Sequence, residues 1–427
     1  MTNSPNQLSA AEAARRIAAG KLTSEALVAA CIERIRARER EVQAWAHFDA
    51  DAALAQARAI DRAGTRGLLA GVPVGFKDVI DTSDMPTQYN SAVYRGHRPR
   101  TDAACVALVR REGGVVLGKT VTTEFASRVA GPTRNPHDLA HTPGGSSSGS
   151  AAAVADHMVP LAFGTQTGGS TIRPAAYCGI VGYKPSFGTI NRAGLKALAE
   201  SLDTIGVMAR TVEDCALLVH AVSGRSLPDL AGALSPPPRI GLHRTSRWKE
   251  ASPAVHAALE NAAAEFARHG ARVRDIDFPA DFDRLYDDQN EIMYFEASRA
   301  LMPEFLAHRD LLSPHMQKVI GAYSKLPRAD YSAAMQRARA CRARFADMLS
   351  DIDVLLTPSA PGEALEGIQE TGSSLFNRNW TLLGAPCVTI PAGRGPKNLP
   401  LGVQFVGAYD DDERVLRCAH WAANALA

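Results

Sequence analysis

Lys77, Ser146 and Ser170 are the residues of this chain whose types and settings could do chemistry together. Ser146 lies in Thr142-Pro143-Gly144-Gly145-Ser146-Ser147-Ser148-Gly149-Ser150, and Ser170 in Gly164-Thr165-Gln166-Thr167-Gly168-Gly169-Ser170-Thr171-Ile172-Arg173-Pro174-Ala175. Lys77 lies in Gly71-Val72-Pro73-Val74-Gly75-Phe76-Lys77-Asp78. A serine hydroxyl is a poor nucleophile at its ordinary pKa and needs a base within hydrogen-bond reach. A lysine can be that base only when neutral, a state favoured by burial or a cationic neighbour. The apolar flanks of Lys77 fit burial. Asp78 would favour the ammonium form if it faced Lys77. Adjacent strand residues point to opposite faces, so Asp78 is expected to face away.

The set permits a proton relay. Ser170 attacks a carbonyl, Ser146 receives its proton, Lys77 receives it from Ser146, and it returns by the same path to a leaving amine. The glycines of Thr167-Gly168-Gly169-Ser170 let the backbone approach substrate and turn N–H donors toward a developing oxyanion. Together these are the parts of acyl transfer without a histidine or a metal. A Gly/Ser-rich loop alone is most often a turn, and at a helix N-terminus it can cradle phosphate. Neither loop carries the lysine of a GxxxxGK[ST] phosphate loop, which disfavours a nucleotide site.

The elements that must position these residues follow from periodicity. Ser9-Ala10-Ala11-Glu12 has the pattern of a capping box, and Thr23 opens a second helix with Leu27, Cys31, Ile32 and Ile35 at helical spacing. Asp51 to Ala63 reads as a third helix. From Leu68 short apolar runs alternate with helical patterns: Val72–Val74, Val115–Leu117, Val159–Phe163 and Ile180–Tyr183 read as strands. Helices are expected at Val106–Glu112, Gly149–Asp156 and Pro253–His269. Arg239–Leu242, Val354–Leu356, Cys387–Ile390 and Gly402–Val406 read as further strands. The alternation predicts an α/β fold with a largely buried sheet. Ser235-Pro236-Pro237-Pro238 punctuates the chain, and residues 285–350, mostly helical and more polar, are expected to cap the site.

Bulk composition narrows the class. The chain has 427 residues, 46% of them hydrophobic, enough for one large domain or two ordinary ones. Lys+Arg is 47 against Asp+Glu 45, a net charge of +2, and no basic stripe suggests nucleic acid. The seven cysteines form no CxxC pair and suit reduced thiols. No signal peptide or membrane-length apolar run is visible, so a soluble cytoplasmic protein is expected. Cys178 is expected to be a packing cysteine, and Ser147, Ser148 and Ser150 to bond within their loop. His137 and His141, four apart between prolines, are a weak metal pair. Tyr323, Tyr331, Phe295 and Trp380 could line a pocket but fit core better, and Asn377 and Trp380 precede a strand expected to approach the site.

With these residues in view, the chain resembles the amidase signature family, the Ser–cis-Ser–Lys hydrolases. Asn135-Pro136 with the first Gly/Ser loop, Ser201-Leu202-Asp203-Thr204-Ile205-Gly206 and Pro400-Leu401-Gly402-Val403-Gln404-Phe405-Val406-Gly407 extend the likeness across most of the chain. The resemblance implies one α/β/α domain over residues 1–427, a central mixed twisted sheet covered by helices on both faces. Its parts would be a helical prelude over 1–66, a catalytic core over 67–225, and a second part of the sheet over 239–427 that includes the helical cap. It implies Ser170 as nucleophile, Ser146 as relay after a cis peptide, Lys77 as base, and the backbone of Thr167, Gly168 and Gly169 as oxyanion hole. It implies no cofactor or metal, a small-molecule amide as substrate and water as acyl acceptor; the charge balance and short apolar runs add the expectation of no nucleic acid or membrane partner, and a homodimer is left open.

One departure is informative. Many members carry an Asp before Thr-Gly-Gly-Ser and an Arg two places after the serine; here Gln166 and Arg173, three places after, resemble the malonamidase-type branch. By that likeness Arg173 would hold a substrate carboxylate, with Gln166 and Gly145 also at the substrate; a salt bridge holding the loop is the other reading of Arg173. The expected activity is hydrolysis of a carboxamide C–N bond through an acyl-enzyme, with esters, anilides and carbamates also accepted. The alternatives are the catalytic subunit of a glutamine-dependent amidotransferase, or a non-catalytic scaffold, which the intact Lys77/Ser146/Ser170 set disfavours.

Overall fold

In a computed structural model, residues 4–64, 67–230, 232 and 234–427 are described. Residues 1–3 of the polar N-terminus and 65–66 at the close of the prelude lie outside the described residues. The strands are β1 (Trp45–Phe48), β2 (Pro73–Lys77), β3 (Val115–Thr120), β4 (Leu161–Gln166), β5 (Val181–Lys184), β6 (Thr204–Ala209), β7 (Arg239–Leu242), β8 (Arg272–Asp275), β9 (Val354–Pro358), β10 (Cys387–Arg394) and β11 (Pro400–Val406). They form one eleven-stranded sheet in the order β1-β3-β2-β4-β6-β5-β10-β11-β9-β7-β8. The sheet is mixed: β2 runs parallel to β3 and β4, β7 parallel to β8 and β9, and β4, β6, β5, β10, β11 and β9 pair antiparallel in succession.

Every residue of β2, β3, β4, β5, β6, β9 and β11 is buried. Side chains alternate faces along a strand, so uninterrupted burial requires cover on both faces. Helices supply it: Ser148–Ala155 against β2, β3 and β4, Val212–Ser223 against β5 and β6, Pro253–Arg268 and Asp412–Ala425 against the second half. Among the described residues no helix is long and apolar enough to cross a membrane.

Three strands, β1, β6 and β8, escape pattern reading. β1 has only four residues, and β8, Arg272-Val273-Arg274-Asp275, is a mostly exposed edge strand whose charges discourage further pairing. The expected capping box is half made. Ser9 Oγ accepts from the Glu12 N–H, but the Glu12 carboxylate pairs with Arg15 and Arg16 on the surface. Thr23 caps its helix as expected, accepting from the Ala26 N–H. Residues 285–350 are helical over Leu285–Ala300, Met302–Ala307, Pro314–Tyr323 and Arg328–Met348.

Candidate active site

Lys77 ends β2, and the Thr167–Ser170 loop begins where β4 ends. Because β2 and β4 are adjacent and parallel, both residues emerge at the same edge of the sheet, where open α/β sheets place ligands. Ser146 belongs to the loop that enters the Ala-rich helix Ser148–Ala155. The two Gly/Ser loops touch directly, the Ser147 N–H donating to the Ser170 carbonyl at 3.3 Å. The Gly145–Ser146 peptide bond is cis.

Lys77 Nζ lies 2.7 Å from Ser146 Oγ and 2.7 Å from Thr165 Oγ1. Lys77 is fully buried and Ser146 nearly so, whereas Ser170 is partly exposed. Burial pushes the Lys77 ammonium well below the ordinary lysine range; Asp203 opposes that shift and Arg173 adds to it. Asp78 does turn away: it meets Lys119 at 3.4 Å and accepts from the Gln88 N–H. The geometry thus buries an amine whose charged form is disfavoured against one hydroxyl, with the partly exposed Ser170 on the adjoining loop.

The Thr167–Ser170 backbone is braced from outside. The Thr167 carbonyl accepts from Gln289 Nε2 at 2.8 Å, and the Gly168 carbonyl from Thr381 Oγ1 at 2.8 Å. In a trans peptide the N–H points opposite to the C=O, so pinning these two carbonyls aims the Gly168 and Gly169 N–H groups the other way. Among the described residues neither N–H donates to a protein acceptor. The Thr167 hydroxyl is held by Asp203 at 2.5 Å, and Asp203 also accepts from the Leu198 and Ala199 N–H groups.

A chamber of about 70 Å³ opens on Ser170 and is lined by Thr167, Gly168, Gly169 and Arg173 on the loop side. Its far wall comes from Met293, Tyr294, Met316 and Val319 of the 285–350 helices. A wider basin of about 840 Å³ shares Arg128, His315, Thr371, Gly372 and Arg378 with it. Arg173 is buried, and its Nη2 lies 2.5 Å from the Gly145 carbonyl. No salt bridge holds it, contrary to the structural reading of this residue, among the described residues.

Two residues expected at the substrate have partners within the protein. The Gln166 amide is spent within the protein: its oxygen accepts from the Thr171 and Ile172 N–H groups, and its nitrogen donates to Thr381. The Gly145 carbonyl is occupied by Arg173, and neither Gln166 nor Gly145 lines the chamber. Asn377 and Trp380 are likewise buried behind the loop, Asn377 bonding the Ser359 carbonyl and Trp380 packing with Phe278 and Phe345. Phe295 stacks on Tyr331, and Tyr323 on the chamber residue Tyr294. Ser147, Ser148 and Ser150 bond backbone groups, and burial raises the Cys178 thiol above its ordinary range. His137 engages the Cys178 carbonyl, and among the described residues no group of three or more His, Cys, Asp or Glu is placed to hold a metal ion.

Sequence reasoning did not single out Thr165, Gln289, Thr381, Arg128 or Arg378. The one local signal was Asn377, whose neighbour Arg378 reaches the chamber while Asn377 does not.

Comparison with known proteins now bears on this geometry. The family model described as Amidase matches residues 26–416. The chain belongs to the amidase signature family. The A subunit of glutamyl-tRNA(Gln) amidotransferase from Chloroflexus aggregans (strain MD-66 / DSM 9485) is 33% identical over 461 residues, covering 94% of this chain and 93% of that protein. The native peptide amidase from Stenotrophomonas maltophilia superimposes with a TM-score of 0.84 at 30% identity, covering 98% of this chain and 97% of that one. Another amidase crystal structure gives a TM-score of 0.90 at 29% identity, over 98% and 100% of the two chains. This amidase-family protein therefore shares the α/β fold and the acyl-enzyme chemistry of C–N bonds general to the family.

Proposed function

We propose that this protein hydrolyses small amides that bear a carboxylate. Ser170 attacks the amide carbonyl, Ser146 relays its proton and Lys77 accepts it. The backbone of Thr167, Gly168 and Gly169 forms the oxyanion hole; the N–H groups aimed by the Gln289 and Thr381 braces stabilise the tetrahedral oxyanion. The proton returns through Ser146 to the departing amine, and water then releases the acyl group. The observation that carries the mechanism is the buried Lys77 amine at 2.7 Å from Ser146 Oγ. A neutral amine there is a base, whereas a charged one would have nothing to accept. Arg173 supports the substrate class, because a buried guanidinium lining the chamber without a protein carboxylate favours an anionic ligand.

The curated relatives favour a second reading, the glutamine-hydrolysing component of an amidotransferase, since the A subunits of glutamyl-tRNA(Gln) amidotransferases match along almost their whole length. One experiment separates the two. Ammonia and amine release are measured over malonamate-type acids, glutamine, neutral aliphatic amides, an anilide and a carbamate, with wild type and Ser170→Ala. The first reading expects Ser170-dependent turnover of carboxylate-bearing amides by the chain alone. Turnover of glutamine only in the presence of added partner proteins would replace it with the second.

A further inference from the structure

The charge inventory of the two connected chambers is lopsided. Arg173 and Arg378 are both buried, both line the inner chamber, and Arg378 also lines the outer basin, where exposed Arg128 joins it. No Asp or Glu lines the inner chamber, and among the described residues none of the three arginines forms an ion pair. The carboxylates nearby do not alter this: Glu370 sits at the outer rim, and Asp287 exerts only a minor pull on Arg378.

Neither buried guanidinium is saturated by the protein. Arg378 donates from Nε to Ser374 Oγ at 2.9 Å and lies over the Tyr286 ring at 4.5 Å, but its Nη1 is buried without a partner. Arg173 uses Nη2 on the Gly145 carbonyl and leaves Nε buried without a partner. Buried polar groups are ordinarily hydrogen-bonded, and an unpaired buried N–H of a charged group is costly. Both guanidiniums are pushed below the ordinary arginine range, by burial first and then by neighbouring arginine charge, Arg378 and Arg128 acting on Arg173 and Arg128 acting on Arg378. One bound carboxylate would neutralise only one of them.

Resting on the reading of Arg173 above, we propose that the substrate is a dianion: one carboxylate is held by Arg173, and a second by Arg378 with Arg128 at the rim. Arg378 is then a specificity-determining residue. Arg378 lines both chambers, so the second carboxylate extends from the inner chamber toward the basin. Arg128, exposed and screened, contributes less.

The test compares kcat/KM of the full-length protein on propanamide, malonamate, and two dianions, 2-carbamoylsuccinate and N-malonylglycine. In wild type the better dianion exceeds malonamate by about 10- to 100-fold, the range expected for charge-assisted hydrogen bonds. Arg378→Gln brings that ratio to about one, and Arg378→Lys, which keeps charge without the fork, leaves it in between. The wild-type ratio decides the matter even if a variant does not fold. Malonamate preferred over propanamide with no gain from either dianion would overturn this inference and leave the single-carboxylate reading standing. No preference for malonamate or either dianion over propanamide would overturn both. A dianion gain undiminished in a folded Arg378→Gln would also overturn the assignment.

Discussion

Thr381→Val tests whether the braces behind the signature loop matter for chemistry. The substitution exchanges a hydroxyl for a methyl group and keeps the shape. It removes the 2.8 Å bond to the Gly168 carbonyl and the 3.0 Å acceptor of the Gln166 amide. Two buried polar groups lose partners, each costing about 1–3 kcal/mol, so a loss of about 2–4 kcal/mol after partial relaxation is expected. The kinetic effect is separable. The Gly168 carbonyl and the Gly169 N–H share one peptide unit, so freeing the first lets the second rock away from the oxyanion. Deleting a whole oxyanion donor costs about 10²–10³ in kcat. A loosened donor should therefore cost about 10- to 100-fold in kcat, with KM within about twofold, because the bond matures only in the transition state. Steady-state ammonia release on the best amide and a thermal melt measure the two effects, with Thr381→Ser as the hydroxyl-retaining control. If Tm falls while kcat stays within twofold of wild type, the brace is structural only and the oxyanion assignment loses its support.

Further outcomes follow from the same contacts. Lys77→Ala should abolish most amide turnover yet retain slow acylation by an activated ester, whose leaving group needs no returned proton; equal loss on both substrates would argue against the relay. The pH profile of kcat/KM for amides should show an acid limb governed by Lys77, with activity rising as the lysine deprotonates, and that limb should vanish from ester acylation by Lys77→Ala. Stability should respond with the same sign. The unfolded state binds a proton that native Lys77 lacks, so between the lowered native pKa and the ordinary lysine value wild type gains stability with rising pH relative to Lys77→Met. Paired denaturant titrations across that window would reveal it, and a pH-independent difference would mean that native Lys77 is charged. Gly169→Ala should cost more than 100-fold in activity as an order-of-magnitude expectation, since its Cβ would fall 2.3 Å from Asn377 Oδ1 and 2.9 Å from Ser374 Cβ; a fully active variant would show that the loop can shift without penalty.

What was legible in the sequence was local. Apolar runs around Lys77 announced a buried strand end, and glycines beside Ser170 announced a backbone free to present its N–H groups. The fold class followed from alternating strands and helices. What was not legible depends on residues that meet only after folding. Gln289 lies 122 positions from Thr167, and Thr381 lies 213 from Gly168, with nothing in either local pattern to mark them. Gln166 was placed at the substrate by likeness to a branch of the family, and the likeness did not reveal that its amide oxygen accepts from the loop's own Thr171 and Ile172 N–H groups. β8 was hidden because an edge strand carries charges where a central one carries valines.

The brace from Thr381 to Gly168 also sets when the catalytic machinery can come into being during synthesis. At about 5–20 residues per second, the ribosome needs roughly 10–40 s to travel from the signature loop to Thr381. Throughout that interval the nascent chain holds both serines and the lysine but lacks the clamp on the Gly168 carbonyl. A growing chain therefore carries an incomplete site, which is completed only with the C-terminal third. Chains stalled upstream of Thr381 would carry the signature loop without the brace that aims it.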